Sequence, residues 1–242
     1  MRLASTSRLD RTAAPFGALS TRFLLVPLAP VALTALVITI GYVAAGGDAP
    51  GFPPQFPTLA YGVANVVVVA LLYRRVPTDV WNATALFRRP SRREIAAGIV
   101  ATAAGILLGW PATALAADAL GVARYTVPNL TGPIGIGSLV FGAVIVAPVA
   151  EELLFRGLLV GILLERGVDT AVVAAGSLLV FAAMHVFTAG VGGVVNAVLL
   201  GALLTWLRFR FDNLVGAWLL HALNNLAELL VALSVLPSLY AL

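Results

Sequence analysis

The chain has 242 residues, of which 60% are hydrophobic and 11% charged, with a net charge of +4 and a mean hydropathy of +1.00. A soluble domain carries about a quarter charged residues, so the composition excludes that class and predicts an all-α, polytopic membrane helix bundle. No cysteine is present, which excludes disulfides and thiolate chemistry.

Residues 1–22 carry Arg2, Arg8, Arg11 and Arg22 beside Asp10 and read as a cytoplasmic N-terminal tail. Apolar runs near the bilayer-spanning length of about 20 residues follow at 23–45, 57–73, 95–120, 136–164, 169–187, 191–207 and 214–236, giving about seven transmembrane helices. The first run is too long for a signal-peptide core and has further spans behind it, so it reads as a retained helix. Residues 46–57, rich in Gly and Pro, read as an outer loop. Residues 74–94, with Pro77, Pro90 and several arginines, read as a cytoplasmic loop, and 237–242 as a C-terminal tail. The first three helices, within 23–134, carry little beyond packing signals. Gly98, Gly105 and Gly109, like Gly157 and Gly161 further on, are spaced for close helix contact.

Every basic residue is arginine, and the distribution alternates. The tail, the 74–94 loop, Arg166 after the fourth span, and Arg208 and Arg210 after the sixth hold nearly all of them outside the spans; the intervening loops hold only Arg124. The positive-inside rule then predicts a cytoplasmic N-terminus and an outer C-terminus. The excess charge reports orientation and contact with the lipid bilayer, so no nucleic-acid partner is expected.

The chemistry lies from about residue 136 onward. Glu151, Glu152 and Arg156 fall inside an apolar run, where each charge costs roughly 2.5–3.5 kcal/mol on insertion scales. Adjacent helical residues point about 100° apart, and Glu152 precedes Arg156 by four, the order in which the two pair best. This spacing assigns Glu152 to Arg156 and leaves Glu151 without a partner. Pro148, one turn upstream, is predicted to kink the helix and admit water beside Glu151, which suits a general base. Phe181 stands one turn before His185, positioned to wedge its ring. His221 and Asn225 share one helical face at i and i+4, with Asn225 offering an amide to an oxyanion. Glu228, one turn further, is read equally as a support for His221 or as lining an aqueous vestibule. Ser177 has no histidine at helical spacing, so hydrolysis by activated water fits these side chains best.

Glu151-Glu152-x-x-x-Arg156, Phe181-x-x-x-His185 and His221-x-x-x-Asn225 resemble the three motifs of the CPBP family, the type II CAAX prenyl endopeptidases and bacteriocin-processing proteins also called Abi. The Arg208, Arg210 and Asn213 turn is similar to that of bacterial members, and the resemblance covers roughly 135–230 within a catalytic bundle drawn at 135–236. It implies an intramembrane endopeptidase acting on a membrane-associated peptide or protein, of CAAX or bacteriocin-leader type, in a prokaryotic plasma membrane. By motif, Glu151 would activate water with His185, His221 and Asn225 would stabilise the oxyanion, and Glu152, Arg156 and Phe181 would shape the site. Members are often labelled metalloproteases. Glu151, His185 and His221 could compose a zinc site with one open position, but without a His-Glu-x-x-His helix a metal-free glutamate–histidine water is preferred. The competing readings are a proton- or solute-coupled transporter and a non-catalytic immunity or scaffold protein.

Overall fold

A computed structural model describes residues 12–45, 53, 55–86, 88–127 and 132–241. Arg2, Arg8, Asp10, Arg11 and most of the 46–57 loop lie outside the described residues. Seven long helices carry the fold: α1 (Thr21–Ala44), α2 (Phe56–Arg75), α3 (Arg92–Ala119), α4 (Gly132–Glu165), α5 (Thr170–Met184), α6 (Val186–Phe211) and α7 (Val215–Ala232). No strand occurs among the described residues.

Local chemistry sets several of these boundaries. Ser91 caps α3 by accepting from the Glu94 amide at 3.1 Å, and Asp169 caps α5 by accepting from the Ala171 amide at 2.9 Å. Pro57 opens α2, where a missing N–H costs nothing. Asp212, left-handed at φ 50°, ends α6. Asn213 Oδ1 then accepts from the Leu214 amide at 2.8 Å to start α7.

The expectation of seven spans needs correction. Six of these helices are long and apolar enough to cross a membrane; α5 has 15 residues. At 1.5 Å per residue it rises only about 22 Å, short of the roughly 30 Å hydrocarbon layer. The predicted 169–187 span thus stops at Met184, and the predicted 191–207 helix extends to 186–211, interrupted at Gly190 with φ 65° and ψ −168°.

α4 also differs from its expected form. It continues through Pro148, with i→i+5 turns over Leu139–Val146 and Glu152–Leu159 on either side of Ala147–Glu151. Proline lacks the N–H of the regular ladder and crowds the carbonyl four residues back. A wider turn accommodates that mismatch, and such turns recur at functional sites.

The arginine-bearing segments meet at one end of the bundle. There Arg166 donates to the Leu19 carbonyl at 3.2 Å, and Arg88 to the Asp212 carbonyl at 2.9 Å. Asn213 Nδ2 donates to Glu94 at 3.0 Å. Above them lies the main apolar core, with Phe16, Leu154, Leu158, Ile162, Phe181, Leu204 and Leu220 all buried. Large apolar side chains such as Leu71, Leu107, Leu108 and Leu179 face outward, as expected of surfaces against lipid.

Candidate active site

A cavity of about 470 Å3 opens beside α4 and is lined by Glu151, His185, His221, Asn225 and Glu228 together. The first four are the side chains singled out as catalytic candidates from the sequence, drawn from two separate helices and one helix junction. His185 follows the last residue of α5, and the backbone breaks from helical geometry five residues later, at Gly190.

The two glutamates hold different positions. Glu152 is fully buried, and its Oε1 accepts from Arg156 Nη1 at 3.1 Å and from His221 Nδ1 at 2.9 Å. The expected Glu152–Arg156 pair is therefore present, and the link to His221 is additional. Arg156 is also fully buried, with its guanidinium 3.9 Å from the centre of the Phe181 ring, a stacked cation–π contact. Gly201 leaves room for it: a Cβ there would approach Arg156 Nη2 to 3.3 Å.

Glu151 is 5% exposed, and the expectation that it lacks a partner is corrected. Tyr61, on α2, donates its hydroxyl to Glu151 Oε1 at 2.9 Å. The other oxygen, Oε2, is buried with no hydrogen-bond partner and stands 3.8 Å from His221 Nε2. His221 thus lies between the two carboxylates, one on each ring nitrogen.

Tautomers follow from the partners. A carbonyl only accepts, so His185 Nδ1, 2.9 Å from the Phe181 carbonyl, carries a proton and leaves Nε2 with the lone pair of the neutral ring. The Phe181 and His185 rings lie 4.7 Å apart, so the expected wedge is seen. His221 Nδ1 likewise donates to Glu152. Asn225 Nδ2 donates to the Ala143 carbonyl at 2.8 Å, where α4 is widened, which fixes the amide plane and leaves a second N–H.

Glu228 lines the cavity, and Asn224 donates to Glu228 Oε1 at 3.2 Å and to Asn225 Oδ1 at 3.3 Å. Tyr240 and Tyr125 add hydrogen bonds at 2.8 and 3.0 Å. Both tyrosines lie outside the spans, and burial first, then the nearby Glu228 charge, push their hydroxyls well above the usual phenol range. They stay protonated as donors. Trp110 holds Asn224 from the other side, at 3.0 Å. Ser177 is buried, donates to the Phe155 carbonyl at 3.1 Å and is spent structurally.

Among the described residues no group of three or more His, Cys, Asp or Glu side chains is placed to hold a metal ion. His185 and His221 each commit Nδ1 to a protein acceptor, and Glu151 commits one oxygen to Tyr61. The donors left over, Nε2 of each ring and Oε2 of Glu151, are not grouped as the zinc set read from the sequence requires, and no step is derived through a metal.

Sequence reasoning missed Tyr61, Asn224, Trp110, Tyr125 and Tyr240. Tyr61 did carry a signal: Asn65 follows it by one turn inside an apolar run and donates to the Tyr61 carbonyl at 3.0 Å.

Compared with known proteins, residues 133–227 match the family model described as type II CAAX prenyl endopeptidase Rce1-like. That stretch, 95 of the 242 residues, is similar to this family of endopeptidases. It runs from the start of α4 into α7 and contains the three motifs, but neither Tyr61 nor Glu228. No curated protein and no solved structure matches the chain.

Proposed function

We propose that this protein is an intramembrane endopeptidase that hydrolyses a peptide bond of a membrane-associated protein or peptide with water activated by Glu151. The observation that carries this reading is the buried, partnerless Oε2 of Glu151 facing His221 Nε2 across 3.8 Å inside a cavity. That separation is too long for a direct hydrogen bond and suits two groups that share one water.

The steps follow from the placement. Glu151 Oε2 removes a proton from the water as its oxygen bonds to the scissile carbonyl carbon. The carbonyl oxygen takes up negative charge, opposite the free N–H of Asn225 and the Nε2 of His221. When Nε2 carries a proton, His221 donates it in a hydrogen bond to the oxyanion while Nδ1 stays on Glu152. Collapse of the intermediate breaks the C–N bond, and Glu151 returns its proton to the leaving amine. His185 Nε2 supplies a second acceptor for the attacking water. Glu152, held by Arg156, fixes the His221 ring.

The test incubates purified protein in detergent or liposomes with a fluorogenic peptide library, comparing wild type with Glu151→Gln and His185→Ala. Cleavage by wild type, with a loss of about 1,000-fold in Glu151→Gln, is expected for removal of the base. Equal cleavage by all three proteins overturns the assignment. Gradient-driven solute uptake without cleavage would establish the transporter instead.

A further inference from the structure

The hydroxyl of Tyr61 lies 2.9 Å from Glu151 Oε1, within the cavity and 72 positions before the family match begins at residue 133. Its placement rests on a close helix crossing. A Cβ on Gly62 would come within 2.9 Å of the Gly142 Cα, and one on Gly142 within 2.7 Å of the Thr58 carbonyl oxygen. Two glycines thus bring α2 against the widened turn of α4, one helical step from Tyr61 and about two and a half turns before Glu151. The carboxylate then has one oxygen occupied by a phenol and the other, Oε2, without a partner.

We propose that Tyr61 is a positioning residue for the general base, an assignment that rests on the endopeptidase reading. By donating to Oε1 it fixes the rotation of the carboxylate and directs the basic lone pair of Oε2 toward water and His221. A donor to the charged form of an acid favours that form. Helix α2 thereby contributes to the chemistry of a site whose other residues lie on α4, α7 and the α5–α6 junction.

The test uses the full-length protein with Tyr61→Phe, with 3-fluorotyrosine installed at position 61, and with Tyr73→Phe as a control on the outward side of α2. Tyr61→Phe is expected to lower kcat about 10- to 100-fold, the range that one charge-assisted hydrogen bond supports, with KM within about twofold. The acid limb of its pH–rate profile should move to higher pH. The more acidic fluorophenol donates more strongly and should move that limb to lower pH, while Tyr73→Phe leaves the profile unchanged. A merely structural tyrosine would not give opposite displacements. Infrared difference spectra supply a readout independent of activity: the carboxylate band that disappears in Glu151→Gln should shift in Tyr61→Phe. Coincident pH profiles for all variants, or an unshifted band, would overturn the proposal. If wild type cleaves nothing, the endopeptidase reading fails, and the band alone decides whether Tyr61 grips Glu151.

Discussion

Arg156 is the residue on which most of the buried charge depends. It touches Glu152 at 3.1 Å and covers the Phe181 ring, with no part exposed to solvent. Replacing it with leucine would strand the Glu152 carboxylate in the core, and breaking such a pair typically costs about 3–5 kcal/mol. Thermal unfolding of Arg156→Leu in detergent should register that loss. The pair was legible in the sequence because its partners are four residues apart on one helix. The Tyr61–Glu151 bond spans 90 positions in the chain, and no local periodicity reports a contact of that range. The same limit hid the grip of Glu152 on His221, 69 positions away.

Among the helices, the crossing of α2 with α4 and the turn between α5 and α6 decide the geometry. Gly142→Ala would drive a methyl into the Thr58 carbonyl, and overpacking of this kind costs about 1–3 kcal/mol. Its catalytic loss should exceed what the stability change implies, since the crossing also sets Tyr61. Gly109→Ala is the matched control, because nothing lies within 4 Å of its added carbon; it should be neutral or slightly stabilising by melting temperature. Gly190→Ala meets no neighbour but inherits φ 65° and ψ −168°, a region open essentially to glycine alone and a strain of roughly 1–3 kcal/mol for a residue with a side chain. It should weaken activity by disturbing the segment that carries His185. The early end of α5 was not legible in the sequence, because apolar character continues through Val186 and Phe187 with no breaking residue before Gly190.

For the molecule as a whole, the alternation of arginines was the most informative feature of the sequence. Segments that it assigns to one compartment do contact one another through Leu19, Arg88, Arg166 and Asp212. It overstated the number of full spans, because composition records how apolar a run is and not whether its helix reaches the far side. The absence of cysteine makes the orientation simple to measure. Arg89→Cys should react with an impermeant maleimide only from the cytoplasmic face, and Val235→Cys, 64% exposed at the opposite end, only from outside. Reversed labelling would invert the assigned orientation while leaving the site geometry intact.

Thr34 and Ile38 of α1 and Thr58 and Tyr61 of α2 form one side of the cavity. The segment that carries the recognisable motifs therefore does not enclose its own reaction chamber. Were the polypeptide shortened to begin at residue 132, acyl chains would border Glu151 where a phenol now stands, and the acid would meet hydrocarbon. Relatives that keep the motifs but carry unrelated leading helices could thus share a mechanism and still differ in what they admit.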